Sequence, residues 1–325
     1  MIIALVVSSL SLLGLPCLLR RLALARRLPP AEWAQLSLAL LVFGAVAFET
    51  ALVLLGAPTV LRALGVPAIA DICQRMLGDL VPGGPVVGWW AAGSAVAIPL
   101  IGGRGALRAA RAHRALHVES LIGRHEQFGE HELVVLPTDQ MFAFSLTGDG
   151  RAARSQVVVS ERLVQELPPA ELDAVLRHEA AHIEGRHQRY LVLITTLEHG
   201  LVLLPFLRRS TAALRGALER CADERAAGAS PQGRAALRAA LLHVTRAMVA
   251  PGATVAAFSS SADTVLERLQ AMEEAPPAPG PCRASLRRGL VYLPAFLLGA
   301  ATIMSLSLWL DQAHFVLATM GICPV

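Results

Sequence analysis

Two histidines and a glutamate stand together in the pattern H-E-x-x-H, formed by His178, Glu179 and His182. Side chains four residues apart lie on the same face of a helix, so both imidazoles can reach one Zn²⁺ at about 2.0–2.1 Å. Glu179 then lies beside the metal without binding it, where it can take a proton from water and pass it to a leaving amine. The pattern therefore predicts a hydrolytic site with one Zn²⁺ per chain.

A catalytic zinc site needs a third protein ligand and an open position for water. We expect that ligand to be Glu219 on the next soluble helix, with Asp223 one turn further as acceptor for a ligating histidine's free ring nitrogen. The alternative is an exposed acidic pair that matches neighbouring arginines. His187, five residues after His182, should point to another side of the same helix. Competing ligands with weaker support are Glu184, His187, Glu198, His199 and Cys221.

No oxyanion-stabilising group stands out in the sequence. Three residues could donate a hydrogen bond to a developing oxyanion: Arg225, His243 and Arg246. Each is more commonly a surface arginine or a satisfied core histidine, so none is assigned. The 5 cysteines follow no zinc-binding spacing, which argues against a cysteine metal site.

The composition around the motif is that of a membrane protein. Hydrophobic residues make up 54% of the chain and charged residues 17%, against about 25% charged in soluble domains. This excludes a cytosolic globular protein as well as disordered, collagen-like and disulfide-rich secreted classes. Four apolar runs approach the ~20 residues that cross a bilayer: 1–19, 33–55, 80–103 and 289–310.

Arginines orient these predicted spans, because short loops rich in positive charge stay in the cytoplasm. The sequence thus predicts a multi-pass protein of a bacterial plasma membrane with both termini outside. Its three regions are a transmembrane region over 1–103, a cytoplasmic domain over 104–285, and a last span with a short outer tail over 286–325. Cys73 and Cys323 would share the outer face, where a disulfide and two unpaired thiols are both open.

The predicted fold is mainly α, with a small sheet and helices in a cytoplasmic α+β, zincin-like domain. A basic juxtamembrane helix is expected over 104–125. Strands are expected over 132–137, 141–146 and 155–160, and helices over about 170–187, 210–228, 231–249 and 262–273. The run 141–146 could be an edge strand that pairs with an extended peptide, or an ordinary core strand. For the apolar stretch 191–207 we favour a buried or membrane-grazing helix over a span or re-entrant hairpin.

These motifs, in this order, resemble the membrane-bound gluzincin zinc metallopeptidases. The residues that carry the resemblance are Phe142-Ala143-Phe144, Val157 to Ser160, Glu171 to Leu176, His178 to His182 and Glu219 to Asp223. Two branches share them: the HtpX and CAAX prenyl protease branch, and the BlaR/MecR antirepressor peptidases, which fit slightly better because three predicted spans precede the domain. The chain after the last predicted span is too short for a penicillin-binding sensor, so β-lactam sensing is not carried over.

The resemblance implies that His178, His182 and Glu219 bind zinc, that Glu179 is the general base and that Asp223 supports a ligand. The expected function is a zinc metalloendopeptidase that cleaves a cytoplasmic or membrane-proximal protein, with a winged-helix repressor as the partner that the BlaR/MecR branch implies. Alternatives are an HtpX/CAAX-type quality-control or processing protease and a catalytically silent zinc-binding signalling protein. A transporter that uses Glu49, Glu198 and His199 as polar points within apolar helices is a weaker alternative. Direct nucleic-acid binding is not expected.

Overall fold

The computed structural model describes residues 2–22, 28–77, 84–148, 154–228, 230–249 and 262–273. Its helices are α1 (Ile2–Arg21), α2 (Pro30–Ala63), α3 (Pro67–Leu77), α4 (Gly84–Glu119), α5 (Glu161–Glu166), α6 (Pro169–Glu184), α7 (His187–Gly200), α8 (Leu207–Ala227), α9 (Pro231–Val249) and α10 (Ala262–Glu273). Its strands are β1 (Arg124–Phe128), β2 (His131–Leu136), β3 (Ala143–Leu146) and β4 (Gln156–Ser160). The predicted mainly helical fold with a small sheet is confirmed. The predicted span 289–310 and Cys323 lie outside the described residues.

Two helices in the described part of the chain are long and apolar enough to cross a membrane, Pro30–Ala63 and Gly84–His117. Each has 34 residues, or about 51 Å at the rise of an α-helix, which exceeds a hydrocarbon core of about 30 Å. The helices pack closely, since a Cβ at Gly56 would lie 2.7 Å from the backbone nitrogen of Ala92. Small residues at such crossings are typical of helices packed in membranes.

Helix α4 connects this helical region to the sheet without a break at residue 103. The basic helix predicted over 104–125 is therefore the second half of α4, and it ends earlier, at Glu119. Residues 124–128 form strand β1 instead. The prediction missed β1 because its residues are polar and mostly exposed, so they carry no alternation of buried and exposed positions.

The sheet is mixed, with strand order β1-β2-β4-β3. β1 and β2 form an antiparallel hairpin, β2 and β4 are parallel, and β3 pairs antiparallel with β4. The central strand β4 is buried along its whole length, which its run Val157-Val158-Val159 permits. β3 consequently lies at an edge of the sheet.

Two apolar cores meet at helices α6 and α8. Helix α6 packs Val175 and Ala180 against the sheet in one core, together with residues of α9. Helix α8 packs Leu214 and Leu218 against α1, α2 and α7 in the other. Because α6 and α8 also contact each other, side chains between them are held by both halves of the fold.

The apolar stretch 191–207 is not one helix. Helix α7 has 14 residues and ends at Gly200, which is short of the ~20 residues of a span. It packs along α4, where a Cβ at Gly102 would lie 2.8 Å from the carbonyl oxygen of Thr196. In the structure this segment is thus a short helix packed against a candidate membrane helix.

Candidate metal centre

Helix α6 presents both histidines of the motif toward α8. Pro169 occupies its first turn, where the missing backbone N–H costs no hydrogen bond. His178 and His182 are one turn apart, and their Nε2 atoms are separated by 3.2 Å. His178 and Glu179 are buried, with 3% and 5% of their surface exposed. Because the apolar face of α6 packs on the sheet, the face that carries His178 and His182 points toward α8.

Helix α8 brings Glu219 to the same point. Its Oε2 lies 3.4 Å from His178 Nε2, and its Oε1 lies 3.7 Å from His182 Nε2. A tetrahedral Zn²⁺ with ligands at about 2.0–2.1 Å holds neighbouring ligand atoms about 3.3 Å apart. The three donors form the group of metal-ligand type found among the described residues. Their separations and their chemistry fit one zinc ion.

Glu219 is also the most accessible member of this group. Its side chain is 29% exposed, compared with 4% for His178 and 15% for His182. A site that is closed behind the histidines and open beside the carboxylate leaves room for water and a substrate, as a catalytic metal site requires. Burial by itself would raise the pKa of the Glu219 carboxyl. The contact with His178 and the charge of Arg268 outweigh burial and lower this pKa. The carboxylate is therefore ready to bind a cation.

Glu179 lies beside the donor group without belonging to it. Burial raises the pKa of its carboxyl to about 7, against opposing contributions from the charge of His178 and the nearby Ser145 on β3. A carboxyl group with a pKa near neutrality can both accept and return a proton, which is what a general acid–base needs. Ser145 was not singled out by the sequence, because nothing in a short strand shows which helix its side chain faces.

Asp223 lies behind His178, one turn after Glu219 on α8. Its Oδ1 lies 3.0 Å from His178 Nδ1, within ion-pair distance although outside strict hydrogen-bond geometry. Burial alone would lower the pKa of His178, but Asp223 and Glu219 raise it to about 10. The structure thus places Asp223 next to His178, and its role as acceptor for a metal-binding histidine stays a prediction.

Arg268 on α10 completes this side of the site and was missed by the sequence analysis. It is 3% exposed, and its Nε and Nη2 donate to the two oxygens of Asp223 at 2.8 and 2.6 Å. Its Nη1 lies 3.3 Å from Glu219 Oε2. One sequence signal existed: Arg268 falls on the same helical face as Val265 and Met272, so a buried charge was to be expected there.

His182 has a different neighbour, because the helix predicted over 170–187 ends at Glu184. Gly185 follows as C-cap, and Arg186 adopts a left-handed conformation with φ 51°. The chain turns there, and His187 begins α7 with its Nδ1 2.8 Å from His182 Nδ1. The expectation that His187 points to another side of the same helix was therefore wrong. Burial lowers the pKa values of both His182 and His187 to about 4.

The remaining candidates have other contacts. Glu198 accepts hydrogen bonds from Thr211 and Arg215, and His199 contacts the carbonyl oxygen of Thr195. Glu184 is 58% exposed, and Cys221 is not in the donor group. Of the possible oxyanion donors, His243 lies 3.3 Å from Glu171. Arg246 lines a pocket together with His243 and Glu171. Arg225 lies 4.0 Å from Glu184.

Comparison with known families supports the chemistry of this site. Residues 108–262 match the model of Peptidase family M48, which supports assignment of the chain to the M48 metallopeptidases. Peptidases of this family are zinc-dependent. The matched residues run from α4 to the start of α10 and include all three donors, while Arg268 follows them. The match does not distinguish the BlaR/MecR branch. No curated protein and no solved structure matches the chain.

Proposed function

We propose that the protein is a membrane-embedded, zinc-dependent metalloendopeptidase that hydrolyses peptide bonds of a cytoplasmic or membrane-proximal protein. The observation that carries this proposal is the convergence of His178, His182 and Glu219 with the buried Glu179 beside them. The match to family M48 supports the same chemistry.

In this proposal His178, His182 and Glu219 bind the metal, which when bound supplies a Lewis acid and lowers the pKa of water toward about 7. Glu179 accepts the proton that water loses as it attacks the peptide carbonyl. Glu179 then returns that proton to the nitrogen of the departing amine. Because burial raises the pKa of Glu179 to about 7, its carboxyl can be either protonated or deprotonated near neutral pH.

Strand β3 supports an extended peptide as substrate. It pairs with β4 along one side, and no further strand pairs with its other side among the described residues. It also contacts the metal-site helix α6. A substrate added to that edge would run past Glu179 through main-chain hydrogen bonds, which select an extended backbone rather than particular side chains. This fits cleavage within a chain.

The membrane location rests on α2 and α4 as candidate spans and on the arginine-rich loops that the sequence places in the cytoplasm. The metal-site domain follows α4 directly, so its substrate would be cut close to the bilayer. Two substrate classes fit this position: a winged-helix repressor, as in the BlaR/MecR branch, and a membrane protein under quality control or processing, as in the HtpX/CAAX branch. Capture of bound protein by an inactive variant in cells distinguishes them.

The test is the variant Glu179→Gln, purified in detergent with its zinc content measured. We expect cleavage of an unfolded protein substrate to fall by about 10²–10⁴-fold, with one zinc per chain retained. The matched control is Glu184→Gln on the same helix, whose side chain is 58% exposed and whose activity should be unchanged. Equal cleavage by Glu179→Gln and the wild type would contradict the proposal. Zinc binding without any cleavage by the wild type would favour a silent signalling protein.

A further inference from the structure

His187 lies beside Nδ1 of His182, the ring nitrogen that faces away from the other two donors. It is 6% exposed and begins α7, five residues after His182. Its Nδ1 lies 2.8 Å from His182 Nδ1, a normal hydrogen-bond distance. The two rings are nearly perpendicular, with an interplanar angle of 83°. This contact forms because the chain turns at Arg186.

The direction of the hydrogen bond follows from the other nitrogen of His182. Nε2 of His182 faces His178 Nε2 and Glu219, so it must offer a lone pair if the group binds a cation. A neutral imidazole then carries its proton on Nδ1. His182 therefore donates, and Nδ1 of His187 accepts.

We infer that His187 is a positioning residue whose Nδ1 accepts this hydrogen bond and so holds His182 in the tautomer and ring orientation that present Nε2 to zinc. The inference rests on the proposed zinc site. Groups that accept a hydrogen bond from a metal-binding histidine are usually carboxylates, backbone carbonyls or water, and their loss typically weakens metal binding by about 10–100-fold. A neutral imidazole in this place accepts the hydrogen bond from His182 without adding another negative charge to a site that already contains carboxylates.

Gly185 makes room for this arrangement. Its backbone has ordinary right-handed helical angles, φ −72° and ψ −7°, so alanine causes no backbone strain there. A Cβ at position 185 would however overlap Nε2 of His187. Gly185→Ala must therefore displace the His187 ring while leaving its chemistry unchanged.

The experiment measures the zinc dissociation constant of the full chain by chelator competition. His187→Asn places an oxygen at the position of Nδ1, whereas His187→Gln carries its amide one bond further out and His187→Leu has no acceptor. We expect His187→Asn to stay within about threefold of the wild type, and His187→Leu and His187→Gln to bind about 10–100-fold more weakly. Gly185→Ala should also weaken binding, while Gly216→Ala, where a Cβ meets nothing within 4 Å, should not.

Equal zinc affinity in His187→Asn and His187→Gln, whether both match the wild type or both are weak, would overturn the inference, because it would show that only packing matters. Thermal unfolding of each variant without zinc separates a loss of folding from a loss of binding. If the wild type itself bound no zinc, the proposed function would fail. If the wild type bound zinc and the His187 variants bound it equally, only the inference would fail.

Discussion

The two histidines of the candidate metal centre have opposite kinds of neighbour. His178 rests against Asp223, which is bound by Arg268 from a helix 45 residues further along the chain. His182 rests against His187, which is its neighbour by a turn of the chain and carries no countercharge. The first support is ionic and long-range, and the second is neutral and local. The neighbour of His182 is thus supplied by the start of α7, whereas the ion pair behind His178 needs α10 to be packed against α8.

The long-range side also reaches the first helix. Glu267, adjacent to Arg268 on α10, accepts hydrogen bonds from Nε and Nη2 of Arg20 near the end of α1 at 3.3 and 2.9 Å. Helix α10 therefore contacts the candidate metal centre through Arg268 and α1 through the preceding residue. The local side has its own connection to the apolar helices, because α7 packs along α4.

The largest expected effect is on the ionic side. Arg268→Met keeps the length of the side chain but leaves Asp223 and Glu219 without the buried cation between them. Breaking a buried ion pair by removing one partner costs about 3–5 kcal/mol, and we expect a loss of that size in the free energy of unfolding by denaturant. Arg238→Met, which removes an exposed pair with Glu273, is the control and should cost less than about 1 kcal/mol. Equal losses in the two variants would show that Arg268 is not a special contact.

A smaller effect, measured on zinc binding rather than on stability, is expected at Asp223, whose carboxylate faces both His178 and Arg268. Asp223→Asn keeps the shape of the side chain, and we expect it to weaken zinc binding by about 10–100-fold. Chelator competition measures this directly. An unchanged dissociation constant would mean that His178 does not need an anionic neighbour, and the contrast with His182 would disappear.

The contrast also predicts proton release on zinc binding. Because a ligating histidine must be neutral, His178, with its pKa raised to about 10, must lose a proton at pH 7.5. His182, with its pKa lowered to about 4, is already neutral. Calorimetry in buffers of different ionisation enthalpy should therefore show that the wild type releases more protons on zinc binding than Asp223→Asn, by up to about one proton per chain. Identical release in both proteins would contradict the assignment.

The smallest effect concerns the contact between α10 and α1. The side chains of Arg20 and Glu267 are 26% and 36% exposed, so solvent screens their attraction. Glu267→Gln should lower the free energy of unfolding by less than about 1 kcal/mol and leave the zinc dissociation constant unchanged. A large loss of zinc affinity would show that α1 positions Arg268, which would make the ionic side more extended than the structure indicates.

Local patterns predicted the parts of the site that one helix determines. The spacing of His178 and His182 specifies a shared helical face, and the structure has that face. Helices α9 and α10 occur at the predicted residues 231–249 and 262–273, because their apolar residues recur at helical intervals. The match to family M48 then supports the predicted metallopeptidase chemistry.

Several features that depend on tertiary contacts were not predicted, although the approach of Glu219 and Asp223 to the histidines was. Arg268 pairs with Asp223, which is 45 residues away in the sequence. The helical periodicity of α10 does not show which helix packs against the face that carries Arg268. The turn at Arg186 ends α6 before His187, although the residues on both sides have no strong helix-breaking pattern apart from Gly185. Strand β1 exists because β2 pairs with it, and its own exposed residues give no signal.

The central claim is that His178, His182 and Glu219 together hold one zinc ion. X-ray absorption at the zinc edge of the purified full-length protein tests it most directly. We expect one zinc per chain with a shell of nitrogen and oxygen atoms at about 2.0–2.2 Å, including scattering from two imidazoles. A sulfur atom at about 2.3 Å, or the absence of zinc from active protein, would contradict it.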